Sequence, residues 1–332
     1  MKPQDTYLLK LVVFFVVLIV TSCSIYVGGV TTEPTSLSII ATDTSIAATD
    51  TPINIPTPLP LRPPIGKIAF VSEDSYIDVI NSDGSVKTIL AENLAVPVEL
   101  AWSPDGQFIA FTSMQQDGSQ ICVMKADGSG PTQLTHSNAQ SLSPAWSPDG
   151  KNIIFISDSQ VYIMKADGTE QRRLTHNQDL VRDVTWSPKG DVIAVSSDVL
   201  TPSGIYFPEE ISLMGLDGVL QKSLTFPYTA NPAWSPNGQL IAFTSSQDSG
   251  IYVMKADGSD QVPLITSTNT NSSSQYVNNL YPSWSPDGNY IVFSSNRDGH
   301  YQLYIMKADG SDLIRLTNDP DNDMFPVWSS TP

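Results

Sequence analysis

Two histidines and one acidic run are the side chains whose spacing comes closest to that of a metal site. His136 and His176 each follow a Leu-Thr pair, and neutral imidazole is a common zinc ligand. We expect the two rings at the outer ends of different repeats, too far apart to share an ion. Residues 319–323 read Asp-Pro-Asp-Asn-Asp, like the start of a calcium loop, but Met324 replaces its glycine and Ser330 its glutamate. We predict no metal site and no cofactor, and leave weak calcium binding at this run open.

Catalytic chemistry has no complete signature either. The 332 residues contain no Gly-x-Ser-x-Gly segment, which would hold a serine nucleophile on a tight turn. The candidates for acid–base chemistry are the carboxylates of Glu99, Asp183 and Asp323, which the repeats described below place on inner strands. We predict no catalytic residues, while an enzyme that uses these acids stays open as an alternative.

The charge of the chain limits its partners. There are 34 Asp and Glu against 17 Lys and Arg, a formal charge of −17, whereas contact with a phosphate backbone needs a dense basic surface. We therefore exclude nucleic acid. Two cysteines cannot form a disulfide framework, so the fold must be held by packing and strand pairing.

The first 22 residues have the pattern of a secretion signal. Lys2 and Lys10 precede an uncharged apolar run, Leu11 to Val20, which ends in small residues before Cys23. This ending resembles the lipobox of bacterial lipoproteins, in which the cysteine is lipidated and becomes the mature N-terminus. An uncleaved anchor is the alternative, because residues 11–30 carry no charge and could just span a bilayer. Both interpretations tether the chain outside the cytoplasmic membrane.

The segment after the signal is interpreted as a stalk. Residues 23–66 are rich in Thr, Ser and Pro, a composition with little to bury that favours extended conformations. We predict a signal peptide at 1–22, a stalk at 23–66 lipidated at its first residue, and a folded domain at 67–332.

The folded domain consists of repeats, each marked by a tryptophan. Five copies contain Trp-Ser-Pro-x-Gly, and the sixth is cut short. Each full copy is followed by an apolar strand, a second turn that ends in Asp-Gly, and a short strand. Proline presets the first turn dihedral and glycine supplies a positive φ, so both phrases predict hairpin turns, and each repeat is a four-stranded antiparallel meander. The six tryptophans are Trp102, Trp146, Trp186, Trp234, Trp284 and Trp328.

Repeats of this length cannot bury both faces alone, which predicts radial stacking as propeller blades. The last repeat stops after its tryptophan strand, near Phe325 to Trp328, whereas the domain begins with three strands in residues 68–90. The two fragments add up to one blade. We predict an all-β fold, a six-bladed β-propeller of four-stranded antiparallel blades, closed by three N-terminal strands and the C-terminal innermost strand. Blades 1 to 5 are numbered by their tryptophans, and blade 6 is the closing blade.

The two recurring turn phrases resemble the TolB-type propeller repeat, which is found in the C-terminal domain of periplasmic TolB and in the propellers of prolyl-oligopeptidase-like enzymes. The resemblance covers residues 67–332 and implies an extracytoplasmic six-bladed propeller. The resemblance does not imply that this chain shares the partners of TolB in the Tol system, because TolB has a folded α/β domain before its propeller and here a stalk is predicted.

Candidate binding residues gather on one face of the predicted propeller. The two repeated turns share one face, here called the turn face, while the remaining connections form the opposite loop face. The two enlarged segments, 198–210 in blade 3 and 266–279 between blades 4 and 5, lie on the loop face. Aromatic side chains on such loops suit a protein, peptide or glycan ligand, although they could instead pack onto their own blades. The predicted ligand-binding residues are Tyr206, Phe207, Phe226, Tyr228, Tyr276, Arg297 and His300.

These features predict a monomeric, membrane-anchored propeller outside the bacterial cytoplasm. We expect it to bind an envelope protein, peptide or glycan through the loop face without catalysis. A propeller lyase or glycoside hydrolase acting at the channel mouth, and a purely structural module of envelope assemblies, stay open as alternatives.

Overall fold

The computed structural model describes residues 66–72, 76–92, 94–115, 118–176, 179–201, 203–204, 206–267 and 277–329, except for the side chain of Phe207. The predicted signal peptide, Cys23 and nearly all of the predicted stalk lie outside these residues. The part of the chain that is described contains no helix long and apolar enough to cross a membrane.

Six four-stranded antiparallel sheets confirm the all-β, six-bladed propeller. Blade 1 contains β4–β7, blade 2 β8–β11, blade 3 β12–β15, blade 4 β16–β19, blade 5 β20–β23, and blade 6 the order β24-β1-β2-β3. In chain order the strands are β1 (Lys67–Ser72), β2 (Tyr76–Asn81), β3 (Thr88–Ala91), β4 (Pro97–Trp102), β5 (Phe108–Gln115), β6 (Gly118–Lys125), β7 (Thr132–Gln133), β8 (Ser141–Trp146), β9 (Asn152–Ser157), β10 (Gln160–Lys165), β11 (Arg172–Arg173), β12 (Leu180–Trp186), β13 (Val192–Leu200), β14 (Tyr206–Gly215), β15 (Leu220–Ser223), β16 (Thr229–Trp234), β17 (Leu240–Ser245), β18 (Gly250–Lys255), β19 (Val262–Ile265), β20 (Asn279–Trp284), β21 (Tyr290–Ser295), β22 (Gln302–Lys307), β23 (Ile314–Arg315) and β24 (Asp323–Trp328).

The innermost strands form a closed circle. Contacts connect them in the order β4, β8, β12, β16, β20 and β24, and β24 contacts β4 in turn. Within blade 6, β24 pairs antiparallel with β1, with Ile68 opposite Trp328 and Ser72 opposite Asp323. One blade therefore joins both ends of the described propeller.

Local hydrogen bonds explain why the first repeated phrase makes a turn. In blade 1 the Ser103 hydroxyl donates to Asp105 Oδ1 at 2.6 Å, and the Phe108 amide donates to Ser103 Oγ at 2.9 Å. Gly106 has a φ of +67°, a conformation that costs glycine little. The aspartate is occupied by its own turn, which lowers the pKa of Asp105, chiefly through the Ser103 bond.

The hydrophobic core lies between blades rather than inside them. One cluster joins Ile154 and Val161 of blade 2 to Val184 and Trp186 of blade 3. Blades 4 and 5 share a similar cluster around Trp284, whose indole N–H also donates to the Ala233 carbonyl of blade 4 at 3.0 Å. A single blade consequently has no complete core of its own.

The second repeated turn fits against the outer strand of the preceding blade. Gly128 has a φ of +82°, and a Cβ there would overlap the Leu90 carbonyl oxygen of blade 6. Gly218 meets the Leu174 carbonyl of blade 2 in the same way. The glycine is thus required twice, by its backbone conformation and by the approach of the neighbouring blade.

We predict that Gly128→Ala destabilises the propeller much more than Gly130→Ala. Gly130 also has a positive φ, +64°, but no atom lies within 4 Å of a Cβ built there. Both variants force alanine into the left-handed region, which costs about 1–2 kcal/mol. Only Gly128→Ala adds steric overlap, a further ~1–3 kcal/mol. Equal losses in denaturant unfolding would contradict the role assigned to this contact.

Candidate functional site

The enlarged segment of blade 3 is mostly an extended hairpin rather than a loop. β13 continues to Leu200 and β14 starts at Tyr206, and these two residues are opposite each other. Tyr206, with 43% of its surface exposed, stands at the end of this hairpin. Phe207 follows it in β14, opposite Val199, and its side chain lies outside the described part.

The connection between blades 3 and 4 presents two further aromatic rings. Phe226 is 81% exposed and Tyr228 is 40% exposed. Their backbones are held in place, because the Phe226 carbonyl accepts a bond from the Thr229 hydroxyl at 3.2 Å and the Tyr228 carbonyl one from the Ser246 amide at 2.9 Å. Rigid backbone with exposed rings suits recognition. Tyr276 lies outside the described residues, so its role stays a prediction.

Arg297 and His300 are placed differently from each other. Arg297 is partly buried, donates to Asn279 Oδ1 at 2.7 Å and to Ser295 Oγ at 3.0 Å, and lies 4.7 Å from the ring centre of Tyr304. It thus holds the end of blade 5 together, and burial lowers its pKa. His300 is exposed at the same connection. Their part in ligand binding stays a prediction.

A small groove opens between blades 2 and 3 on the loop face. Its volume is about 260 Å³, and both apolar and polar side chains line it. Arg182 in this lining pairs with Asp198 at 2.7 Å, which links the groove to the base of the blade 3 hairpin. Sequence reasoning missed the groove because its walls come from several strands. The lining residues are Gln140, Leu142, Ile156, Asp158, Ser159, Val181 and Arg182.

The central channel is lined at one level by the residue three positions before each tryptophan. The strand register shifts around this position in every blade, and all of these residues except Asp183 have a positive φ. The register shift is a β-bulge, which re-aims a side chain. The six residues are Glu99, Ser143, Asp183, Asn231, Tyr281 and Phe325.

Three carboxylates and an aromatic pair meet in this channel. Glu99 accepts bonds from the Thr112 hydroxyl at 2.9 Å and the Ser143 amide at 2.8 Å. Burial raises the pKa of Asp183 to about 7, with the charge of Glu99 as the next cause. Burial also raises the pKa of Glu209 to about 7. Sequence reasoning missed this acid because its place depends on a register shift between β13 and β14, which brings it within reach of the Ser196 hydroxyl.

Tyr281 stands near the three acids. Burial, followed by the charge of Glu99, raises the pKa of Tyr281, and Asp183 and Glu209 add to the effect. Its ring centre lies 4.4 Å from that of Phe325. Side chains from blades 1, 3, 5 and 6 therefore meet around one space that combines negative charge with aromatic surface.

The third inner-strand acid, Asp323, lies elsewhere. It is buried at the seam between blades 5 and 6, where Lys87 Nζ is 3.6 Å from its Oδ1 and 2.7 Å from Asp319 Oδ2. A lysine thus occupies the centre of the acidic run that resembled a calcium loop. Among the described residues, no group of three or more His, Cys, Asp or Glu side chains is arranged to hold a metal ion.

Charge is distributed unequally between the two faces. On the turn face, Lys165, Lys255 and Lys307 pair with acids of their own turns at 2.9, 2.6 and 2.6 Å. In the described connections of the loop face, Arg297 is the sole Lys or Arg. The acids there are Glu92, Asp158, Asp179, Asp248, Asp298, Asp319 and Asp321. Arg315 and Lys87 reach two of these acids, Asp298 and Asp319, and the remaining acids leave the loop face with excess negative charge.

The sequence matches a family model described as the TolB beta propeller domain, over residues 43–272 and 221–331. No curated protein matches it. Among solved structures, the propeller is similar to TolB from Acinetobacter baumannii, with a TM-score of 0.67, 21% identity, and coverage of 80% of this chain and 66% of that one. The chain thus spans just under two thirds of that relative.

Two further solved structures share the architecture to different degrees. The putative TolB from Agrobacterium tumefaciens has a TM-score of 0.51 and 26% identity, with 59% of this chain and 68% of that one covered. Hydrazine synthase from Kuenenia stuttgartiensis has a TM-score of 0.65 at 16% identity, with coverage of 80% and 47%. The last similarity shows the fold alone.

The raised pKa of Asp183 predicts a pH-dependent stability. An acid whose folded pKa lies above its ordinary value near 3.8 stabilises the fold in its protonated form, so this contribution is complete at low pH and is lost as the pH rises from about 4 to 7. We expect Asp183→Asn to remove part of that fall and to increase unfolding free energy at pH 8 by ~1–2 kcal/mol.

The matched control is Asp127→Asn in an exposed turn. The Ser129 bonds lower the pKa of Asp127, so its ionised form is the stabilising one and the substitution should have the opposite sign at pH 8. Denaturant unfolding at several pH values measures both. Identical pH profiles for wild type and Asp183→Asn would contradict the channel electrostatics.

Proposed function

Because the chain belongs to the TolB beta propeller family, we propose that it is an extracytoplasmic binding module that captures a protein or peptide on its loop face. The observation that carries the proposal is the exposure of Tyr206, Phe226 and Tyr228 on well-held backbone in neighbouring connections. Aromatic side chains supply large contact area at low conformational cost and dominate many binding interfaces. The groove between blades 2 and 3 extends this surface across blade 3.

The charge of the loop face supports a basic partner. Negative potential attracts Lys and Arg and accelerates their encounter, and the channel acids add to it beneath the surface. An acidic glycan would be repelled by the same charge. A protein or peptide with basic residues beside an apolar or aromatic one is the ligand that this chemistry fits best, and a neutral glycan stacked on the rings is the alternative.

The described chain enters the propeller on the turn face. The Gly66 carbonyl accepts a bond from the Ser82 amide at 3.0 Å, and Ser82 belongs to the β2–β3 connection of the turn face. An N-terminal tether, whether lipidated at Cys23 or held by an uncleaved anchor, would therefore join the propeller on the face opposite to the proposed binding surface.

Catalysis at the channel is the second candidate function. Asp183 and Glu209 both have a pKa raised to about 7, and such values suit general acid–base chemistry. A lyase or glycoside hydrolase would use these carboxylates on a sugar ring. We favour binding because burial accounts for both raised pKa values, aided by the charge of Glu99 at Asp183 and by that of Asp198 at Glu209, so neither value calls for a catalytic role.

We predict that replacing Tyr206, Phe226 and Tyr228 together with alanine abolishes capture of envelope proteins by the immobilised propeller. The control replaces Leu216 and Val219, exposed apolar residues of the turn face, with alanine. Loss of at least ~1.4 kcal/mol, or tenfold in affinity for the captured partner, is expected for the loop-face variant alone. Equal capture by both variants, or turnover of peptides or polysaccharides by the purified propeller, would contradict the proposal.

A further inference from the structure

The closing seam of the ring is the place where β24 and the β23–β24 connection meet strands β1–β3 of blade 6. It contains a lysine that no other blade has at the equivalent position. Lys87 Nζ lies 2.7 Å from Asp319 Oδ2, 3.2 Å from Asp78 Oδ2 and 3.6 Å from Asp323 Oδ1. Lys87 and Asp78 come from the N-terminal strands of blade 6, whereas Asp319 and Asp323 come from the C-terminal end. We propose that Lys87 closes the ring electrostatically and that a proton held by the buried carboxyl group of Asp323 makes this closure pH-sensitive.

The position of Lys87 shows how the closing seam departs from the others. Three residues after the turn glycine, blades 2 and 4 have Gln171 and Gln261, which donate to the preceding Leu134 and Leu224 carbonyls at 2.9 and 2.8 Å. Blade 6 has Lys87 at this place. The hydrogen bond of a neutral side-chain amide to the preceding blade is thus replaced by an ammonium group, which reaches Asp319 in the C-terminal part of the chain.

Asp78 departs from the repeat in the same way. The equivalent residue is tyrosine in blades 2, 4 and 5, where its ring contacts a buried phenylalanine with ring centres 5.6 to 5.9 Å apart. In blade 6 the Lys87 ammonium lies 5.1 Å from the ring centre of Phe70 instead. Blade 6 thus has an aspartate where these blades have tyrosine, and its Lys87 makes the contact with the buried phenylalanine that the tyrosine makes in them.

The seam contains more negative charge than one lysine neutralises. The side chains of Asp78 and Asp323 are 2% and 0% exposed. Asp78 Oδ1, Asp319 Oδ1 and both carboxylate oxygens of Asp323 have no hydrogen-bond partner within the described residues. Asp319 is 29% exposed, but three ionised carboxylates around one ammonium would still leave a net charge of −2 on a cluster in which two of the acids are buried, which is costly. Retaining one proton lowers that cost.

Asp323 is the carboxyl group that best holds the proton. The charged groups that face it are Asp78 from β2, Lys87 from the β2–β3 connection and Asp319 from the β23–β24 connection, while the neighbouring Thr317 hydroxyl acts to lower its pKa. Burial raises the pKa of Asp323 to about 7. Burial acts to lower the pKa of Lys87, but its bond to Asp319 and the charges of Asp323 and Asp78 outweigh this and raise it.

The sign of the pH effect follows from these shifts. Because the folded pKa of Asp323 lies above its ordinary value near 3.8, its proton stabilises the closed seam fully at low pH, and this contribution is lost as the pH rises from about 4 to 7. Lys87 stays charged throughout this range. The seam is therefore expected to loosen between mildly acidic and mildly alkaline conditions, whereas strands without a buried acid, such as β9 and β10 of blade 2, are not.

Hydrogen exchange of the full-length protein, read by mass spectrometry at pH 5.5 and 8 after correction for intrinsic rates, tests the proposal. Peptides covering β24 and β1 report the closing seam, and peptides covering β9 and β10 of blade 2, which contain no acidic residue, are the control. The variants are Lys87→Gln, which introduces the residue of blades 2 and 4, and Lys87→Gln with Asp323→Asn, because Asn279 occupies the equivalent position in blade 5.

In wild type we expect protection of the closing seam to fall at least ~10-fold at the higher pH, with the β9–β10 peptides unchanged. Lys87→Gln should lose protection at both pH values. The double variant should recover part of that protection without pH dependence, because Asp323 no longer titrates while Asp78 and Asp319 are left without a cation. Wild-type protection that ignores pH, or an unaltered seam in Lys87→Gln, would overturn the proposal. Added calcium that protects the wild-type seam would also overturn it, since a metal rather than Lys87 would then be the closing cation.

Discussion

Every blade of this propeller depends on its neighbour for a core. The apolar clusters lie between blades, as where Trp186 of blade 3 meets Ile154 of blade 2, and the turn glycines Gly128 and Gly218 bring each blade against the outer strand of the one before. Such an arrangement is stable only when the last blade also meets the first, because an open end would expose an unpaired apolar face. Closure is therefore the constraint on which the other features depend.

This constraint divides the two faces. The turn face is uniform because its turns contact one another and the neighbouring strands, and acids such as Asp105 are occupied by their own turns. The connections of the loop face do not have to fit against neighbouring turns in this way, so they differ in length, exposure and charge. Part of the acidity of the chain is thus a consequence of turn formation, while the acids of the loop face and of the channel are not.

Local patterns predicted the fold well and the site less well. Tryptophan spacing and Pro-x-Gly turns act within one repeat, so the number of blades and their strand order could be predicted from sequence. Glu209 and Lys87 could not be assigned, because each acquires its surroundings from residues far away in the chain, as in the bond between Lys87 and Asp319. Tyr206 was expected on a loop, yet cross-strand pairing with Leu200 extends the hairpin to it.

Removing the closing strand tests the dependence of the ring on closure most directly. Denaturant unfolding would compare the full chain with one that ends at Asn318 and therefore lacks β24 and its connection. A ring held by contacts between blades predicts that the shortened chain loses its single cooperative transition, and that a peptide spanning residues 319–332 restores it. An unchanged, cooperative transition at the same denaturant concentration would show that blades are stable without closure and would contradict this view.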